Sequence, residues 1–415
     1  MSNFSTAVLR IKNFRLLIIC RMLGVLALQS QAVIVGWQIY SLTKSPFLLG
    51  LTGLVEAVPA IACALFAGHI VDISTPKKAF LGSIGTLTLN TFLLLLIAGG
   101  HIAVPMPHLL YLIYTFIFIS GIARSFIMPA SFSMLPQIVS RPQIPAATAW
   151  QSSAFQIAAT IGPAIVGFIY AVYGPPGAWL MPSSLLALCF VLLNFINIPE
   201  TKRMEERREP AMKSIKAGWS FILQNPVLLS VMVLDMFAVL FGGAVAMLPA
   251  YADQILHVGA EGLGALRAAP AAGGIIVALA LALKPMKKLS AVRMLWVVTG
   301  FGLCIICFGF SKLFWFSMLC LVLSGAFDGV SVVIRSTLMQ LLTPEHMRGR
   351  VSSVNSMFII SSNEIGGFES GTMARLLGLV PSVVMGGFAT LVVVAVTALL
   401  SPRFRKTVVD TEHQS

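Results

Sequence analysis

Apolar runs of about 20 residues recur along this chain from end to end. Each is long enough to cross the roughly 30 Å of hydrocarbon in a bilayer. Of 415 residues, 57% are hydrophobic and 10% charged, against about 25% charged in an ordinary soluble domain. The sequence therefore predicts an all-α, polytopic membrane protein. The net charge of +13 would suggest nucleic acid in a soluble chain, but its distribution speaks for a membrane. Basic residues gather between alternate pairs of apolar runs, as the positive-inside rule requires of cytoplasmic loops.

Spans are expected at 16–41, 46–71, 79–99, 108–134, 144–172 and 177–197. A second set follows at 226–252, 261–283, 292–311, 313–341, 350–377 and 381–400. The only long connection is the polar, basic segment 198–225. It divides the chain into an N-terminal half (1–197), a linker (198–225) and a C-terminal half (226–415). With the N-terminus inside, 21 Lys and Arg residues fall on the cytoplasmic side. Only Lys44, Lys312 and Arg375 fall outside, and Arg21, Arg124, Arg267 and Arg335 fall in or beside spans. Both termini are expected in the cytoplasm. The basic start runs straight into a full-length span without a small-residue cleavage site, which reads as a first span and not a cleaved signal. All six cysteines lie in apolar runs; the Cys304–Cys307 pair reads as buried small side chains.

An internal repeat supports the division. "IGPAIVG" at 161–167 matches "IGGFESG" at 365–371 at a spacing of 204, and Ser152 and Ser356 keep that offset. Earlier in each half, "LLG" at 48–50 corresponds to "GLG" at 262–264, and Lys77-Lys78 to Lys287-Lys288. The repeat identifies 350–377 as a span even though it is rich in Ser, Asn and Gly.

Twelve spans in two parallel six-helix halves joined by a basic loop resemble the plan of major facilitator transporters. "GHIVDISTPKK" is similar to that superfamily's loop 2–3 signature, carried by Gly68, Asp72, Lys77 and Lys78. It departs from it at Ile73 and at Thr75-Pro76. "WQIYSLTKSPFLLGL", this loop and "TPEHMRGRVSSVNSMFIISSNEIGGFESG" resemble the enterobactin-exporter-like branch, the transmembrane secretion effectors. That resemblance implies proton-driven export of a siderophore or another small amphiphile across the bacterial inner membrane by a monomer, with protons and membrane lipids as its other partners. It implies no cofactor, metal or nucleic acid. An importer, a macrolide-type drug exporter and a lysophospholipid transporter of the same superfamily stay open. A membrane enzyme of lipid metabolism is the rival of a different class. It would need a nucleophile or an acid–base pair, and no HExxH or GxSxG stretch is present.

Five acids fall inside spans: Glu56, Asp235, Asp328, Glu364 and Glu369. An ionised carboxylate at the bilayer centre costs about 2.5–3.5 kcal/mol, so each is either paired or able to take up protons. Asp328 lies 204 residues after Arg124, which makes the two a candidate buried pair. Glu364, Asp235, Glu56 and Glu369 are candidate proton-coupling sites. Glu364, about 18 Å along its helix from residue 352, falls near the midplane. Glu369, about 140° round the helix, falls nearer the outside, and Gly366-Gly367 between them would permit a bend or a close contact. Gly162, Pro163 and Gly167 partly match the superfamily's Gly-Pro exporter signature and suggest a second flexible point. Gln31, Trp37 and Gln38 on the first span are candidate substrate contacts.

Overall fold

The computed structural model describes residues 8–73, 75–197, 211–283, 288–344, 347–406 and 408–410. Long helices account for almost all of it. In the first half they are α1 (Lys12–Thr43), α2 (Pro46–Ile73), α3 (Pro76–Ala98), α4 (Met106–Ile138) and α5 (Ile144–Asn194). Helix α6 (Ala211–Gln224) follows. Then come α7 (Pro226–Phe241), α8 (Leu248–Gln254), α9 (Gly259–Leu283), α10 (Ala291–Phe310), α11 (Phe314–Leu342), α12 (Arg348–Leu377), α13 (Leu379–Leu400) and α14 (Pro402–Lys406). A two-stranded antiparallel ladder pairs β1 (Lys288–Ser290) with β2 (Val408–Asp410), Leu289 opposite Val409.

Among the described residues, ten helices are long and apolar enough to span a bilayer. One of them, α5, is two expected spans in a row. Gly174 breaks it with φ 65° and ψ −166°, a backbone that glycine adopts without a Cβ clash. Pro175 and Pro176 then begin the next limb, where their missing N–H groups cost nothing. The eleventh expected span, α12, is an unbroken helix whose Ser, Asn and Gly content keeps it below an apolar threshold. The chain thus has its twelve transmembrane helices. Helix starts follow their local chemistry: Asn225 Oδ1 accepts from the Leu228 amide at 3.2 Å, with Pro226 at the first helical position. Gly378, at φ 95°, separates α12 from α13.

Two departures from expectation matter. Residues 211–224, expected as linker, form helix α6. Its apolar face is buried through Ile222, which packs with Leu228, Met232, Val351 and Val354, while Trp219 meets Phe358 at 5.2 Å. The seventh span does not run straight from 226 to 252. It stops at Gly242-Gly243, passes through a 3-10 turn (Ala244–Met247) and resumes as α8.

The chain divides into two compact units. The first holds the residues up to Leu42 and those from Val55 to Ala211; the second holds Thr43–Leu54 and everything from Met212. The first is centred on Phe14, Leu17, Phe80, Ile84, Leu87 and Leu186. The second is centred on Leu234, Met294, Val298, Ile334, Leu338 and Phe404. Large apolar side chains such as Phe168, Leu279, Trp296, Met385 and Val392 are exposed on the helices, as lipid-facing positions require.

Candidate functional site

The in-membrane charges come together in small groups, one in the first unit and two in the second. In the first unit α2 and α4 touch at Gly121. A Cβ there would run into the Glu56 carbonyl and lie 3.0 Å from Pro59 Cγ, so only glycine lets the backbones approach this closely. One turn either way along the two helices, Glu56 and Arg124 form an ion pair. Their side chains keep 22% and 37% of their surface exposed. The acid that meets Arg124 is therefore Glu56, which the sequence offered as a lone proton site and the structure makes one member of a pair.

Beside this pair lies a neutral cluster. Gln31, buried, donates to Ser120 Oγ at 3.2 Å. Asn90 donates to the same oxygen at 3.2 Å and to the Phe116 carbonyl at 3.2 Å. The Gln31 Oε1 atom is buried without a partner. Gln38 accepts from the indole of the fully buried Trp179 at 3.2 Å, and Trp37 is half-buried. Gln38 is thus tied to its own unit's packing, while Gln31 retains an acceptor for another group. Arg21 reaches Gln151 at 3.0 Å and Ser131 at 3.3 Å.

In the second unit Asp235 on α7 pairs with Arg335 on α11. Both side chains are under 10% exposed; nothing in the sequence pattern linked them. Asp235 also lines a small cleft together with Asp328, Ser331, Phe301, Phe327 and Val298. The Ser331 hydroxyl is buried without a partner. Two carboxyl groups thus share one cleft, one of them already matched by a guanidinium.

Glu364 and Glu369 lie on α12. Gly53, in the first turns of α2, which belong to the second unit, packs against Glu364. A Cβ on Gly53 would stand 3.0 Å from Glu364 Oε2 and 3.1 Å from its carbonyl oxygen. Arg267 on α9 interacts electrostatically with Glu364, and its Nε is buried without a hydrogen-bond partner. Glu369, half-buried, accepts from Ser370 Oγ at 3.4 Å.

The glycine pair between the two acids serves contact, and α12 continues through it as one helix. A Cβ on Gly366 would lie 2.6 Å from the Leu240 carbonyl, and one on Gly243 would lie 3.1 Å from that of Gly366. The α12 backbone therefore lies directly on the break in the seventh span, and the bend is there. Gly50 and Gly371 make the same kind of approach, each with a virtual Cβ within 3 Å of the other's Cα. Gly162, next to Pro163, likewise lets α5 approach α1: a Cβ would meet the Leu26 carbonyl at 3.1 Å. The helix runs on through Pro163 and Gly167 until Gly174.

At the loop 2–3 signature the surroundings of Gly68 and the side chain of Asp72 lie outside the described residues, as does Lys287. Lys77 donates to the carbonyls of Asn194 at 2.9 Å and Ile196 at 2.7 Å. It therefore caps the end of α5, where orphan carbonyls and the helix dipole favour a cation. Lys78 is exposed.

A family model described as Major Facilitator Superfamily matches residues 17–367. The chain belongs to the major facilitator superfamily. Among its relatives this superfamily member is 27% identical, over 393 residues, to "Enterobactin exporter EntS" of Shigella boydii serotype 4 (strain Sb227). That match covers 95% of this chain and 92% of the relative. The protein of the same name from Escherichia coli O1:K1 / APEC is 26% identical with the same coverage. Among solved structures, a bacterial homologue of the human lysosomal transporter Spinster superposes with TM-score 0.72 at 13% identity, covering 94% of this chain and 96% of that one. A bacterial homologue of the iron transporter ferroportin gives TM-score 0.68 at 14% identity, covering 95% and 99%. These likenesses establish the fold of two six-helix halves in a multi-pass membrane transporter.

Proposed function

We propose that this transporter is a proton-coupled exporter of the bacterial inner membrane, with both termini in the cytoplasm. It carries a siderophore or a similar small amphiphile outward by alternating access. The observation that carries the substrate class is the likeness to enterobactin exporters, which extends over 95% of the chain and is not confined to one loop. Proton coupling is supported by the second unit. There Glu364, Asp328 and Asp235 stand within spans with two guanidinium groups near them, so a proton gained or lost changes which acid needs a cation.

The proposal is tested in proteoliposomes loaded with a catecholate siderophore. An imposed pH gradient should drive that substrate against its own concentration, and a protonophore should abolish the effect. Transport that ignores the gradient would refute the coupling; failure to move any siderophore while moving macrolides or lysophospholipids would refute the substrate class. Orientation has its own check. A cysteine introduced in 202–213 should resist an impermeant thiol reagent in intact cells, while one near Gly259 should react.

A further inference from the structure

Helices α1, α3, α4 and α5 contain no aspartate or glutamate, yet α1 carries a guanidinium within its apolar run, at Arg21. Arg124 in the same unit and Arg335 in the second are each held by a carboxylate. Arg21 is not: among the described residues no ion pair includes it. Of the two acids on α2, Glu56 is taken by Arg124, and the side chain of Asp72 lies outside the described residues. The partners of Arg21 are neutral. Its Nη1 donates to Gln151 Oε1 at 3.0 Å and to Ser131 Oγ at 3.3 Å. A charge among membrane helices is costly unless one of opposite sign meets it, so an arginine left with neutral partners calls for an anion from elsewhere.

The two contacts use both N–H bonds of Nη1 and hold the fork in place. The remaining donors lie on the edge formed by Nε and Nη2, the geometry that grips two oxygens of one anion side by side. Among the described residues that edge makes no hydrogen bond. Gln151 is 7% exposed, and its Nε2 is buried without a partner. Because Oε1 of the same amide accepts from Arg21, this uncommitted donor stands beside the cation. Arg21 itself is half-buried. Cys20, Ala130 and Trp150, sequence neighbours of the three residues, belong to the unit's apolar cluster or pack on it; apolar walls strengthen an ionic contact by keeping the local dielectric low. Arg21 follows the start of α1 by nine residues, Gln151 follows that of α5 by seven, and Ser131 precedes the end of α4 by seven. All three thus lie roughly 10–14 Å along their helices from one face, the one assigned above to the cytoplasm.

We infer that Arg21, with Gln151 beside it, is an anion-binding site that holds the acidic oxygens of the exported molecule as it enters from the cytoplasm. The ligand is a small amphiphile bearing a carboxylate or two adjacent phenolate oxygens, either of which presents a pair of oxygens to the free edge of the fork. The inference rests on the export reading above and narrows its substrate class from amphiphiles in general to anionic ones. A neutral or cationic drug has nothing to offer the guanidinium. A lipid phosphate shares the chemistry, and the test separates the two sources. An arginine stays charged at any working pH, so the site remains cationic whatever the protonation of the acids elsewhere in the spans.

Isothermal titration calorimetry on the full chain in phosphatidylcholine nanodiscs, at neutral pH, tests the site. The probes are salicylate and its uncharged amide, salicylamide. The parent should bind the acid at least tenfold tighter than the amide, as a charge-assisted contact allows. Arg21→Gln should bind both at the amide's affinity and unfold thermally at the parent's temperature or above, since it removes a cation that the described chain leaves without an acid. Gln151→Glu gives the guanidinium an internal carboxylate, and should keep the fold while losing the preference for the acid. A structural brace predicts the reverse: a lower midpoint in Arg21→Gln and undiminished preference in Gln151→Glu. A parent without the preference, or either folded variant that keeps it, overturns the site; Gln151→Glu decides alone if Arg21→Gln fails to fold. Replacing part of the lipid by phosphatidylglycerol separates the sources. A substrate site keeps its preference there, whereas its disappearance assigns Arg21 to a lipid headgroup and overturns the substrate assignment. Equilibrium binding needs no gradient, so transport that ignores pH would refute the proton coupling and leave this site standing.

Discussion

In the first unit Glu56 and Arg124 form an ion pair beside the close contact at Gly121, whereas in the second, among the described residues, no ion pair joins Arg267 to Asp328 beside the contact at Gly325. The two contacts are about one turn out of register, Gly121 lying against the Glu56 carbonyl and Gly325 against that of Pro270. Burying two opposite charges stabilises a helix pair only when they meet closely and their remaining hydrogen bonds are satisfied. The first unit brings its two charges into direct contact. The second unit carries Asp235, Asp328, Glu364 and Glu369 in its spans against Arg267 and Arg335, an excess of two acids. Bound protons can make up such an excess.

The comparison breaks first at the glycines. Gly325→Val should abolish recovery of folded protein, because a side chain cannot share space with the Pro270 backbone; size-exclusion chromatography of the solubilised membrane protein reads this directly. Gly121→Val should behave alike, and parent-like behaviour of either would show that the close backbone contact there is not required for folding. Next come the ion pairs. Asp235→Ala leaves Arg335 buried and unmatched, a loss on the order of 3–5 kcal/mol, visible as a lower thermal unfolding midpoint. Glu56→Ala should cost less, because Arg124 keeps 37% of its side chain exposed. The reverse order would show that exposure does not govern these pairs. The smallest effect is expected at Lys77→Ala, which removes two hydrogen bonds to the end of α5. A charged donor is worth roughly 1.5–3 kcal/mol in such bonds, reduced here by solvent at the membrane edge.

Hydropathy and the repeat made the helix plan readable, including α12, whose polar composition hides it from any apolar threshold. They also put five acids within expected spans, and all five lie in long helices. What they could not supply was partnership. Glu56 and Arg267 each stand three residues before a proline, Pro59 and Pro270, but carry opposite charges, so identity matching passes over them. Asp235 and Arg335 lie exactly one hundred residues apart on different helices, and no local pattern ties them. Helix α6 was hidden because its charges resemble a loop, although Trp219, Ile222 and their neighbours supply a buried face. The glycines Gly50 and Gly53 read as ordinary small residues of α2, and only three-dimensional packing reveals that they lie against α12.

The difference between the units is tested most directly by neutralising one acid in each and measuring gradient-driven siderophore transport beside substrate counterflow. Glu364→Gln should lose accumulation against the concentration gradient while exchange continues, since counterflow requires no net proton movement. Glu56→Gln should lower both activities together, in proportion to the protein that remains folded. A Glu364→Gln variant that still concentrates substrate like the parent would contradict the account and leave its carboxylate a structural group.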